Sequence, residues 1–296
     1  MNAWFLIAAV LLAPPEVPAG SARVTVTVAR QPIDVYTYKP ADYHDGPLIL
    51  VFHGVLRNAD EYRDDAKVLG DRYGALIAAP RFDAERFPSK KYQQGGLLHD
   101  GKLQPRAEWT WSRIPELIDE LRRREGRPDM PCYLIGHSGG GQFLVRMAGF
   151  LSTGATRIVA ANPGSELFPT RDMPYPLGFG GLPQSVSGDE QLKAYLAQPL
   201  TLYLGSRDTE QDEYFDNSSE SNAQGKSRWE RGHNAFRKAE ELAKARGWKF
   251  GWRLVEAPGV GHDHEAMFRH PRCRVALFGE KTPALDQTPK NKAATR

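Results

Sequence analysis

The stretch CYLIGHSGGGQF, residues 132–143, sets one serine between a histidine and three glycines. An apolar, strand-like run precedes the serine, and GQFLVRMAGF after it has a helical pattern. Gly136-His137-Ser138-Gly139-Gly140 satisfies G-x-S-x-G in the strand–turn–helix setting that a nucleophile elbow requires. A serine held in so sharp a turn collides with neighbouring side chains. Glycines at 136 and 140 remove those collisions, and Gly139 and Gly141 loosen the approach further. The Ser138 hydroxyl is therefore expected to stand clear of the sheet edge, facing the positive end of the helix behind it.

Outward from this point the chain alternates. ARVTVTVA and IDVYTYKP have the two-residue period of half-buried strands and read as an antiparallel pair. PLILVFHG, ALIAAP, CYLIGHS, RIVAANPG, LTLYLGSRD and FGWRLVEAPGVGH are continuous apolar runs, as strands buried on both faces of a mostly parallel sheet require. Helical patterns lie between them at 59–73, 112–125, 140–151 and 231–246. This alternation predicts an α/β fold, a mostly parallel doubly wound sheet with helices on both faces. With no internal repeat and no long linker, one catalytic domain over 23–279 is expected. Segments 81–111 and 164–186 break the alternation; rich in Pro, Gly and aromatics, they read as lid or substrate-binding insertions.

The ends read differently. MNAWFLIAAVLLAPPEVPAGSA carries a short apolar run followed by small residues, so residues 1–19 are expected to be a signal peptide, although no Lys or Arg precedes the run. The run is about half the ~20 residues of a membrane span, so no span is expected and the product is placed as secreted or periplasmic. Residues 280–296 lack apolar periodicity and read as a disordered tail. A net charge of +3 over 296 residues, without basic blocks interleaved with aromatics, gives no case for nucleic acid. Two cysteines, Cys132 and Cys273, are too few for a disulfide scaffold, and sequence leaves open whether they pair. It is also silent on oligomeric state.

A serine nucleophile needs a base and a group to orient that base, in the chain order Ser, acid, His for an elbow on such a sheet. LTLYLGSRDTEQDEYFD delivers Asp208 just past a strand end, with Glu210 and Asp212 as rivals; WRLVEAPGVGHDHEAMF delivers His262 in a glycine-bracketed turn. His264 is the rival base, and its position at the start of the next helix is expected to carry it away. His262 and His264 also form a His-x-His pair, but no Cys or second His pair supports a metal, so neither metal nor cofactor is expected. His53 is expected to brace the loop after LILVFHG, and His137 is read as structural. Two backbone N–H groups should face the oxyanion: Gly139, and Val55 with Leu56 behind it. Trp109, Trp111, Tyr175, Phe179 and Leu182 are the apolar candidates for a substrate wall, with core packing the alternative for Trp111.

Together LILVFHGVLRNADEY, GHSGGG, LGSRDT and PGVGHDHEAM resemble the α/β-hydrolase superfamily over residues 30–278. VFHG, ANPGSELFP and GVGHD are similar to secreted esterases of the poly(3-hydroxybutyrate) depolymerase and feruloyl esterase kind, without a counterpart of a separate polymer-binding module. The resemblance implies a carboxylic ester hydrolase with Ser138, Asp208 and His262 as triad, acting on small-molecule or polymeric esters. A serine peptidase on the same fold and a catalytically silent binding protein are the alternatives.

Overall fold

The computed structural model describes residues 15–280. Most of the expected leader (1–19) and tail (280–296) lies outside the described residues. Of the leader's last residues, Val17 is buried in the core and its N–H donates to Glu125 Oε1 at 3.3 Å.

Strands β1 (Gly20–Val28) and β2 (Gln31–Lys39) pair antiparallel, as their alternation predicts. The fully buried strand β3 (Leu48–Phe52) follows. Helices α1 (Ala59–Asp65) and α2 (Lys67–Tyr73) then replace the single helix expected over 59–73. Buried Ala66, with ψ near −5°, is the joint between them. Strand β4 (Leu76–Pro80) follows. The first insertion holds a small hairpin, β5 (Leu98–His99) with β6 (Lys102–Leu103), before α3 (Arg113–Arg124). Next come β7 (Cys132–His137), α4 (Gly139–Phe150) and β8 (Arg157–Ala161). The second insertion leads into α5 (Gln184–Ser187) and α6 (Asp189–Ala197). Strand β9 (Leu200–Gly205), α7 (Ser219–Asn222) and α8 (Arg228–Arg246) precede β10 (Arg253–Ala257), α9 (His264–Arg269) and α10 (Arg272–Phe278).

Helix α8 begins three residues before its apolar pattern because Ser227 caps it. The Ser227 hydroxyl accepts from Glu230 N at 3.1 Å, and Glu230 reaches back to Lys226 N at 2.8 Å.

Among the described residues the main sheet has eight strands in the order β1-β2-β4-β3-β7-β8-β9-β10. Its β1–β2 and β2–β4 pairs are antiparallel and the rest parallel. Residues alternate between two cores. Leu48, Leu50 and Phe52 join the core under α3, α4, α6 and α8, whereas Ile49 and Val51 join the one under α1, α2, α9 and α10. Cys132 belongs to the first core and Cys273 to the second, and both are free thiols. No helix among the described residues is long and apolar enough to cross a membrane.

The winding direction reverses between β3 and β7: β3 connects to β4 on one side, and β7 to β8 on the other. Carboxyl ends of strands at such a reversal form the crevice in which open α/β sheets bind ligands. Helix α4 starts directly over the end of β3. A Cβ on Gly140 would sit 2.2 Å from the Phe52 carbonyl oxygen and 2.7 Å from its carbon. Gly140→Ala therefore must push α4 off β3. It is expected to lower the unfolding free energy by about 1–3 kcal/mol or more, read by urea denaturation. An unchanged midpoint would mean that the close approach is not needed.

Candidate active site

Ser138 occupies the turn between β7 and α4 with φ 55°, a left-handed conformation that costs a non-glycine residue about 1–3 kcal/mol. The neighbouring backbone holds it there. Ser138 N donates to Ala161 O at 3.0 Å, and Ser138 O accepts from Gln142 N at 2.9 Å. A Cβ on Gly136 would meet Gly140 C and O at 2.6 Å, and one on Gly141 would meet Ala161 O at 2.8 Å. The glycine spacing is thus a steric requirement of the elbow.

The loop after β3 lies against this elbow, with Val55 N 3.2 Å from where a Gly139 Cβ would stand. His53 braces the loop. Fully buried, it donates from Nδ1 to Gly54 O at 2.9 Å and accepts at Nε2 from Phe82 N at 3.1 Å. Tyr92 stacks on the His53 ring at 4.7 Å and donates its hydroxyl to His53 O at 2.8 Å.

A cavity of about 200 Å³ is lined by Ser138, Val55, His137, His262 and His264. His262 enters it with Nδ1 2.7 Å from Asp208 Oδ2, and the Asp208 carboxylate is buried. The other oxygen, Oδ1, lies 3.5 Å from Nη1 of buried Arg228, whose Nη2 donates to Asp212 Oδ1 at 2.7 Å. Asp212 is therefore the partner of Arg228 and not of His262. Burial opposes ionisation of Asp212, but the Arg228 guanidinium outweighs it and holds the carboxyl below its usual range. Sequence reading missed Arg228, twenty residues beyond Asp208, though it opens the helix that Ser227 caps.

It also missed Asn162, at the end of β8. Its φ of 42° belongs to the region that Asn tolerates better than most residues. Buried there, Asn162 accepts at Oδ1 from Gly205 N at 2.7 Å and donates Nδ2 to Gly261 O at 3.0 Å. One side chain thereby ties the strand end that leads to Asp208 to the turn that presents His262.

Other expected positions need correction. Trp109, Trp111, Phe179 and Leu182 are buried in the core, so they form no substrate wall. Trp111 and Phe150 stack at 5.6 Å, and Phe150 meets Phe179 at 5.2 Å, because large aromatics in the insertions gain more from burial than from solvent. Tyr175 of that set lines a cavity, a larger one beyond Gln142. Among the described residues the large exposed apolar side chains instead are Leu56 (66%) and Tyr214 (54%), both on the rim of the Ser138 cavity. Nor is His264 carried away. The Asp263 carboxylate caps α9 by accepting from Ala266 N at 2.9 Å, which turns His264 back to the cavity, stacked on Tyr62 at 4.0 Å. Its Nε2 approaches Asp65 Oδ2 to 2.8 Å without hydrogen-bond alignment and Glu61 Oε1 to 3.8 Å. Among the described residues, Glu61, Asp65 and His264 form a group whose ligand atoms, within 4.8 Å of one another, could hold a metal ion.

The chain is similar to poly(aspartic acid) hydrolase-1 from Sphingomonas sp. KT-1, with 31% identity and a TM-score of 0.79 over 85% of this chain and 96% of that one. It is equally similar to a poly(3-hydroxybutyrate) depolymerase from Bordetella parapertussis, with 31% identity and a TM-score of 0.78 over 85% of this chain and 88% of the other. An S-formylglutathione hydrolase from Agrobacterium tumefaciens shares the fold at 13% identity, TM-score 0.52. No protein-family model and no curated protein matches the sequence.

Two histidines beside the site are buried and held neutral. Burial pulls His53 from the ordinary 6.5 down to about 4. His137 falls well below 6.5, chiefly through burial and then through His262, His264 and Arg228. The unfolded chain thus takes up protons near 6.5 that the folded chain refuses until about 4, so acid favours unfolding across that window. Stability is expected to be full above pH 6.5 and to fall as the pH drops toward 4. Urea unfolding at pH 7.5 and near pH 4.5 checks this, and His53→Gln should shrink the difference. Equal stability at the two pH values would contradict it.

Proposed function

The chain belongs to the α/β-hydrolase superfamily, and from that premise we propose that it is a serine hydrolase of carboxylic esters. The observation that carries the reading is the strained Ser138 in one cavity with His262, whose Nδ1 is held by buried Asp208. Ser138 Oγ attacks the ester carbonyl carbon while His262 Nε2 takes its proton. The oxygen that becomes negative faces the N–H groups of Val55 and Gly139, donors fixed in place before the charge develops. The tetrahedral intermediate collapses, the C–O bond to the alcohol breaks, and His262 returns the proton to the departing oxygen. Water then attacks the acyl-enzyme by the same route in reverse. Asp208 keeps the proton on Nδ1 and stabilises the imidazolium, and Arg228 stands 3.5 Å from the other Asp208 oxygen.

Export to the periplasm or medium fits the leader-like N-terminus. The depolymerase named above and the polymer hydrolase beside it make a polymeric or oligomeric substrate the first to assay, with aryl esters next. Leu56 and Tyr214, exposed at the rim, are the side chains positioned to meet the substrate first.

On p-nitrophenyl acetate, Ser138→Ala is expected to lower kcat by about 10⁶-fold. Asp208→Asn should lower it by about 10⁴-fold, because His262 loses its tautomer and orientation. Asp212→Asn should cost far less, since it touches the base only through Arg228. An Asp212 change more damaging than the Asp208 change would place the acid on the wrong residue.

A further inference from the structure

Beyond Ser138 lies a second and larger cavity, of about 490 Å³. Tyr214 lines both cavities. Gln142, one helical turn past Ser138 and so about 6 Å along the α4 axis, forms part of the new wall. Every other residue of α4 is buried. The wall is polar. Buried Arg146, four residues further on the same face, directs its guanidinium only to uncharged oxygens: Ser165 Oγ at 2.8 Å, Pro176 O at 3.0 Å, Gln142 Oε1 at 3.1 Å, and Gln93 O and Gln142 O at 3.4 Å. Gln93 Oε1 is shielded from water and has no hydrogen-bond partner. Asp216 and Glu220 stand on the lining as well.

Three kinds of occupant can be compared. An alkyl chain would strip water from amides and hydroxyls and give nothing back, which costs free energy for each polar atom left unpaired. A free carboxylate would meet one guanidinium already engaged by five oxygens, and two carboxylates of its own sign. A neutral group that both donates and accepts matches the glutamine side chains, which offer both roles. We propose that this cavity is a second compartment of the substrate cleft that binds a neutral hydrogen-bonding group, a carboxamide or a hydroxyl, and discriminates against alkyl chains and carboxylates. The inference rests on Ser138 being the nucleophile, and it sets the specificity of that site.

The test compares kcat/KM, by pH-stat on the full chain, for esters that differ only in their far end. Methyl pentanoate, methyl glutaramate and monomethyl glutarate vary the acyl arm. The acetates of butanol, γ-hydroxybutyramide and γ-hydroxybutyrate vary the alcohol arm. The amide-ended ester is expected to exceed both partners by about tenfold or more in the series whose arm enters the compartment, since sites built to hydrogen-bond a group reject analogues lacking it. Gln142→Leu and Gln93→Leu should each bring that ratio toward one. An alkyl-ended ester as good as the amide in both series, a preference for the carboxylate, or a ratio untouched by both substitutions would overturn the proposal. Hydrolysis of all six esters without preference removes the compartment and leaves the serine hydrolase standing. No hydrolysis of any of them removes both.

Discussion

The contact on which the rest depends is the one between the first turn of α4 and the end of β3. Gly140 comes so close to the Phe52 carbonyl that no side chain fits. That approach lets the chain reverse within one residue, at Ser138, and it brings Val55 N to the edge of Gly139. The Ser138 turn and the backbone after β3 are thus fixed by the same packing. The strain at Ser138 persists because the bonds from Ser138 N to Ala161 O and from Gln142 N to Ser138 O leave the residue no alternative.

On the other side of the cavity the geometry depends on buried charge. The Asp208 carboxylate is taken out of water, and a charged group so buried needs a partner. Arg228 beside it, itself paired with Asp212, supplies the compensating charge without leaving the interior. Removing one member of the buried Asp208–Arg228 pair costs more than the pair contributes as a whole, because the other remains desolvated. Asn162 does the complementary mechanical work. Its two amide bonds join Gly205 and Gly261, so the loops that carry Asp208 and His262 share a single anchor.

The sheet, the elbow and the positions of Ser138, Asp208 and His262 were legible because each has a local signature. The signatures are continuous apolar runs, a glycine spacing forced by sterics, and turns at strand ends. Positions set by tertiary context were not legible. Trp109, Trp111 and Phe179 sit in Pro- and Gly-rich insertions that look like loops over a cleft, yet their rings fill the core instead. Leu56 and Tyr214 carry no sequence sign of being exposed at the rim. Asn162 in RIVAANPG reads as the tail of a strand, and only its left-handed backbone shows why the amide points inward. His264 was misplaced because the start of a helix was equated with departure from the site. The Asp263 cap, visible in the sequence as an Asp before an apolar run, is what returns it.

In the mechanism proposed above, Ser138 is a nucleophile activated by its surroundings. A fluorophosphonate probe followed by peptide mass spectrometry tests it most directly, since the probe forms a covalent bond only with an activated hydroxyl. A single adduct is expected on the peptide containing Ser138, absent from Ser138→Ala. An adduct on Ser165 or Ser206, or none at all on a folded and active protein, would contradict it.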